Sequence, residues 1–364
     1  MIFLRVILFM AGASIVIWTL LSTVKTFVLP RSATDTITRA VFLSMRTLFN
    51  LRLRWSHSYQ ERDAVMAYYA PISLLALLPA WLILILSGYT AMYWAVGAPS
   101  LREAYRLSGS SLLTLGFASI DRFPETILSF SEATIGLLLV ALLIAYLPTM
   151  YAAFSRREAA VTLLEVRAGN PPSAAEMIKR FHRIHGLDQL NVQWRTWETW
   201  FVDIAESHSS LPALVFFRSP KAPHSWVTAA GTVLDTAALV NSVVDVQHDP
   251  QADLCIRAGY LALREIADTF GVVYNPNPKP ADPISINRAE FDAVCDELIR
   301  AGVPLKPDRE QAWKDYAGWR VNYDIPLLAL AGLTMAPIAP WSSDRATKNF
   351  SRFVNKKLPP QAGL

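Results

Sequence analysis

The sequence predicts an all-α membrane protein, with three helices that cross a bilayer followed by a helical domain outside it. Three observations carry that expectation. Hydrophobic residues make up 52% of the 364 positions, and a mean hydropathy of +0.27 is high for a chain dissolved in water. The apolar excess lies in the first 155 residues, in three runs that each reach the length of a spanning helix. Beyond them the chain reads as capped helices of ordinary soluble composition.

The first run, Ile2 to Leu29, is interrupted only by Arg5 and Lys25. It is too long for the apolar core of a signal peptide, and no small-residue cleavage site follows it. Residues 1–30 therefore read as a retained N-terminal span, with a cleaved leader as the alternative. Residues 31–66 carry Arg31, Arg39, Arg46, Arg52, Arg54 and Arg62. Within them, "TITRAVFLSMRTLFNLRLRWS" (36–56) mixes Arg39, Arg46, Arg52 and Arg54 with Val41, Leu43, Leu48, Phe49 and Leu51. Such a helix suits the inner membrane interface; packing on the domain beyond the membrane suits it equally. The second run extends from about Ala67 to Val96, and the third from about Ile127 to Phe154, ending at Arg156-Arg157. Lysine and arginine gather in cytoplasmic loops. The segment 31–66 and everything after 155 are thus placed in the cytoplasm, with the N-terminus and the 97–126 connection outside. The chain reads as a multi-pass protein of the cell membrane, the inner membrane if the source is bacterial.

The 97–126 connection does more than join two spans. "LREAYRLSGSSLL" (101–113) can form a short helix, and it leads into "TLGFAS" (114–119), with Pro124 soon after. Non-helical backbone at membrane depth is tolerated only where it is buried in protein or lines an aqueous path. A short helix that dips in and returns as an extended segment can offer its carbonyls to a cation in place of water.

On these residues, the sequence resembles the pore-loop potassium-channel superfamily over residues 67–157, the module of span, pore helix, filter and span. The family pattern Thr-Val/Leu-Gly-Tyr/Phe-Gly-Asp is matched in order by Thr114, Leu115, Gly116 and Phe117. The resemblance implies that their carbonyls coordinate K⁺ or another monovalent cation, with the Thr114 hydroxyl at the innermost site. One chain carries one such segment and a fourfold filter needs four, so a homotetramer among membrane lipids is implied. Gly136 and Pro148 stand where inner helices of the family bend to open; close helix packing and a fixed kink are the plainer readings of the same two residues. Glu132, near the outer end of the last span, is expected to face protein or the pore mouth rather than lipid. No arginine-spaced voltage sensor is present, and no cofactor is implied beyond the permeant ions.

The chain departs from the family at the outer end of the filter. Ala118 stands for the second glycine and Ser119 for the aspartate, and the pore helix has Ser110 and Ser111 where the family has glutamate. Carbonyls can all face one axis only if alternate residues take left-handed backbone angles. A residue other than glycine there costs about 1–2 kcal/mol. The inner sites are expected to survive, while the outer ones weaken. A second reading follows from Ala118: a non-conducting membrane sensor or scaffold that keeps the channel architecture.

Residues 158–341 are expected to form a helical cytoplasmic domain, and 342–364 a flexible tail. Ser173 to Glu176 reads as a capping box, and Asn287 to Glu290 as the cap of a further helix. Trp194, Trp197 and Trp200 share one helical face and read as packed core. "IPLLALAGLTMAPIAPW" (325–341) is too short and proline-broken for a fourth span. Enzyme chemistry finds little support. His182 and His185 are three apart on a helix but lack partners at ligand spacing, His208 sits among serines without a nucleophile elbow, and no glycine-rich nucleotide motif follows a strand. A net charge of +4 without a dense basic patch gives no sign of nucleic-acid binding. Cys255 and Cys295 read as buried thiols, with a disulfide as the alternative.

Overall fold

The computed structural model describes residues 2–29, 35–56, 58–119 and 122–346. Those residues are helical, with one isolated antiparallel bridge, Val244 to Leu305, and no strand. The chain divides into two compact units, Met1–Ala152 and Ala153–Leu364.

In the first unit, helices α1 (Ile2–Phe27), α4 (Tyr69–Val96) and α6 (Phe123–Ala168) hold the three stretches long and apolar enough to cross a membrane. α6 runs through both Gly136 and Pro148 as one helix and continues into the second unit. Large apolar side chains stand exposed along all three, among them Ile7, Ile17, Ile83, Leu137 and Ile144. Outward-facing apolar side chains of this kind suit a lipid solvent.

α1 packs along α4 at a glycine crossing. A Cβ on Gly12 would lie 2.5 Å from the Gly88 carbonyl oxygen, and one on Gly88 would lie 2.8 Å from that of Gly12. Small residues let helix backbones approach in this way. A polar thread fixes the other end. The Trp81 indole donates to Ser22 (3.0 Å), Ser22 donates to Asp35 (2.6 Å), and Asp35 caps α2 by accepting from the Thr38 amide.

α2 (Thr36–Leu53) and α3 (Tyr59–Ala67) precede α4. α2 packs on both α1 and α4, and the Tyr69 hydroxyl donates to the Phe42 carbonyl. Leu43, Leu48 and Leu51 remain exposed on its other side. α4 ends at Gly97, whose φ of 123° suits glycine. Ser100 then caps α5 (Leu101–Leu112) by accepting from the Glu103 amide.

The second unit forms around α9 (Trp226–Ser242). All but one of its residues are buried, because the helix is apolar or small on every side. α7 (Ala174–Arg183), α10 (Pro250–Thr269), α12 (Arg309–Arg320) and α13 (Asp324–Thr334) pack directly on it, and α8 (Leu190–Ser210) lies against α10. α11 (Arg288–Arg300) opens with a full capping box at Asn287 and Glu290, whereas the box expected at α7 is half formed: Ser173 caps the Glu176 amide, but the Glu176 carboxylate is taken by Lys179 and Arg180. The tryptophan row lies in this core, with Trp197 and Trp200 edge to face at 4.8 Å. α13 is the apolar helix of the 325–341 stretch, buried along one side.

Two expectations need correction here. α7 ends at Arg183, and His185 lies beyond it with φ 55°, so His182 and His185 do not share a helix face. The expected flexible tail begins too early at 342. Ser342 is buried, and Arg345 pairs with Glu290 at 2.9 Å. The rest of that segment, 347–364, lies outside the described residues. Cys255 and Cys295 are each a buried free thiol.

Candidate functional site

The segment 114–119 follows α5 as non-helical backbone and is mostly exposed within the chain. The last turn of α5 holds it: the Ser111 carbonyl accepts from the Thr114 amide at 3.0 Å, and Ser110 does the rest. The Ser110 carbonyl accepts from the Leu115 amide at 2.8 Å and, more weakly, from the Gly116 amide at 3.5 Å. The Ser110 hydroxyl accepts from the Ala118 amide at 3.2 Å. In a trans peptide the N–H and the preceding C=O point opposite ways. With three amides turned back to Ser110, the carbonyls of Thr114, Leu115 and Phe117 are turned away from α5.

The backbone angles alternate accordingly. Thr114 has φ 55° and Gly116 φ 68°, both left-handed. Glycine adopts that region freely, while at Thr114 it carries strain of about 1–2 kcal/mol. Ala118, the third position of that alternation, is not among the positive-φ residues. A Cβ on Gly116 would meet nothing within 4 Å, so conformation rather than space accounts for a glycine here. The Phe117 ring lies under the Arg106 guanidinium at 5.8 Å, and Arg106 is itself paired with Glu103 at 3.1 Å.

Behind α5 lies a hydroxyl network. The Ser108 hydroxyl donates to Glu132 at 2.5 Å. Ser111 bonds Ser129 at 2.8 Å and stands 3.4 Å from the Tyr93 hydroxyl, while Tyr89 bonds Ser131 at 2.9 Å. Glu132 is fully buried, in keeping with the expectation that it faces protein, and its Oε2 has no hydrogen-bond partner. Gly136, one turn further along α6, brings that helix against the end of α5. A Cβ there would sit 2.3 Å from the Leu112 carbonyl oxygen. Pro148 lies three turns on, in the same unbroken helix. The 114–119 segment and Gly136 thus meet at the two ends of α5's last turn, whereas Pro148 stands apart from them in sequence.

No family model, curated protein or solved structure matches this chain.

Ser110 is the site residue whose role the sequence did not reveal. Its position on the last turn of a short helix, just before a Thr-x-Gly segment, was the available signal. In the second unit, a cavity of about 340 Å³ opens beside Leu187, Trp194, Asn241, His248, Asp249 and Lys306. Much of its polar equipment is already engaged: Lys306 donates to the Asn241 carbonyl, Asn241 to Asp253, and Asp249 caps α10. Among the described residues no cluster of three or more His, Cys, Asp or Glu could hold a metal ion. His208 lies fully buried in the last turn of α8, just before the helix gives way at Leu211.

Proposed function

We propose that the protein is a cation channel of the potassium-channel type, assembled as a homotetramer in the cell membrane with its C-terminal unit in the cytoplasm. In this reading Thr114, Leu115, Gly116 and Phe117 coordinate the permeant ion, Ala118 and Ser119 form a relaxed outer end, and α6 carries the gate. One observation supports it above the others: the amides of Leu115, Gly116 and Ala118 are all tied back to Ser110, which turns the carbonyls of Thr114, Leu115 and Phe117 to one side. Carbonyls turned together in this manner can replace a cation's hydration shell. The three apolar helices and the short α5 between α4 and α6 supply the order of elements that such a pore needs.

Two features favour a second reading, a non-conducting scaffold that keeps this architecture. Ala118 does not continue the left-handed alternation, and a guanidinium stands over Phe117. Ion flux decides between them. Purified protein in liposomes, under K⁺ and then Na⁺ gradients, is expected to pass K⁺, and flux is expected to vanish in Gly116→Val. No flux from a verified tetramer, with α6 opened by mutation at Gly136 or Pro148, would favour the scaffold.

A further inference from the structure

A tightly constrained polar contact of the second unit lies on the part of α6 that belongs to it. Arg157 is 1% exposed, and almost every donor it has is committed. Its guanidinium donates to the carbonyls of Leu214 (2.9 Å) and Phe217 (2.7 Å), and it pairs with Glu158 at 2.8 Å. Its Nη1 also meets Nε2 of His208 at 3.2 Å.

That last contact fixes a proton. An arginine side chain only donates and does not lose its charge, so Nε2 of His208 must accept and carries no hydrogen. The ring is then the neutral Nδ1–H tautomer, and Nδ1 lies 3.2 Å from the Ser207 hydroxyl. Adding a proton at Nε2 would set donor against donor and bring a second cation against the guanidinium. His208 is fully buried, with the Trp226 ring 4.8 Å away, so water cannot screen the repulsion. Arg157 and Glu158 are the charged groups that face it. Asp203, further back on α8, is engaged with Arg156.

We infer that the His208–Arg157 contact is a proton-controlled latch, closed while the imidazole is neutral and released on acidification, which frees the segment 153–168 of α6 from the Leu214 and Phe217 carbonyls. Burial, and then the Arg157 charge, hold the imidazole well below its ordinary range. The sign follows from that depression. The latched state is fully favoured above about pH 6.5 and loses stability as pH falls below it, by at most a factor of ten per pH unit for one proton. As regulation of the proposed channel, the latch rests on that reading, since α6 would also carry the gate; as a property of the second unit it does not.

The full-length protein in detergent, compared at pH 7.5 and pH 5.0, provides the test by hydrogen exchange corrected for its intrinsic pH dependence. Protection of peptides covering 153–168 and 211–217 is expected to drop by up to about thirtyfold at the lower pH. His208→Gln accepts from Arg157 through its amide oxygen without titrating, and is expected to lose the pH response. An equal response in wild type and variant, or none in wild type, overturns the latch. Should the variant fold poorly, the wild type suffices: the midpoint of the change must coincide with His208 protonation read by exchange at its ring C2–H, and a midpoint more than about one pH unit away sinks the idea. K⁺ flux from the same protein reconstituted in liposomes separates the two readings. A pH-dependent change in protection without flux counts against the channel and leaves the latch standing, whereas flux with pH-independent protection does the reverse.

Discussion

A Cβ placed on Gly136 would lie 2.3 Å from the carbonyl oxygen of Leu112, the last residue of the short helix α5. α6 therefore approaches α5 to backbone contact just where α5 gives way to the 114–119 segment. Gly136→Ala cannot be absorbed by a side-chain rotation, because the obstructing atom is backbone. We expect it to lower stability by about 1–3 kcal/mol, read as an earlier thermal unfolding midpoint in detergent. Gly109→Ala is the control, since a Cβ there meets only the Leu86 side chain at 3.8 Å. It should be nearly silent.

The glycine crossing of α1 and α4 makes a second prediction. Gly12 and Gly88 each exclude a side chain on the other, so Gly88→Leu must push α1 away. Cysteines introduced in the two helices flanking this crossing should cross-link readily in the parent protein and poorly in that variant. Retained cross-linking would show that α1 is held by the Trp81–Ser22–Asp35 thread alone.

Much of this architecture is legible from the chain, for definable reasons. The spans are visible because a bilayer demands some 20 apolar residues in succession, and the caps at Ser173 and Asn287 because an N-terminal amide needs a nearby acceptor. The 114–119 segment is legible as a motif, but the hydrogen bonds that shape it are not. Ser110 acts through its carbonyl as well as its hydroxyl, and a backbone acceptor leaves no trace in residue identity. His208 was hidden for another reason: its partner Arg157 lies 51 positions away and is paired only by the fold. His185 shows the opposite failure. A three-residue spacing predicts a shared face only while the helix lasts, and α7 ends two residues earlier.

Glu132 and Ser108 are both fully buried and bonded at 2.5 Å. Glu132→Gln keeps the shape and the Ser108 contact without the carboxyl group, so it is expected to change stability by less than about 1 kcal/mol. Glu132→Ala leaves a hole and takes from the Ser108 hydroxyl its nearer acceptor, leaving only the Leu86 carbonyl at 3.2 Å. A loss of about 2 kcal/mol or more is expected. Equal effects of the two substitutions in thermal unfolding would remove the hydrogen bond from the account.

Ala118 permits a direct test of the filter proposed above. Ala118→Gly removes the Cβ that opposes a left-handed φ, so the alternation of Thr114 and Gly116 can extend one step. With Ser119→Asp added, the K⁺/Na⁺ flux ratio in liposomes should rise. An unchanged ratio in a conducting protein would locate selectivity wholly at Thr114 to Phe117.

The second unit is held by a buried ionic cluster whose contribution to stability can be apportioned. Arg320 is fully buried and donates to both carboxylate oxygens of Asp235 at 2.8 Å, to Asp324 at 2.7 Å and to the Trp341 carbonyl at 2.7 Å. Tyr323 and Tyr316 also donate to Asp235. Burial alone would draw the guanidinium's pKa down, but the charges of Asp235 and Asp324 outweigh it and hold the pKa well above its ordinary value. Arg320→Met removes the cation and leaves Asp235 in a dry core with only two hydroxyls for company. A loss of about 3–5 kcal/mol is expected. Adding Asp235→Asn to it removes the stranded charge and should recover part of that loss, because a buried pair is costly to break and much less costly to replace. The double-mutant cycle, read by chemical denaturation, separates the two terms. If the double variant is as unstable as the sum of the singles, the cluster's worth lies in Asp324 and the Trp341 carbonyl, and Arg320 serves chiefly to pin the segment after α13 to the core.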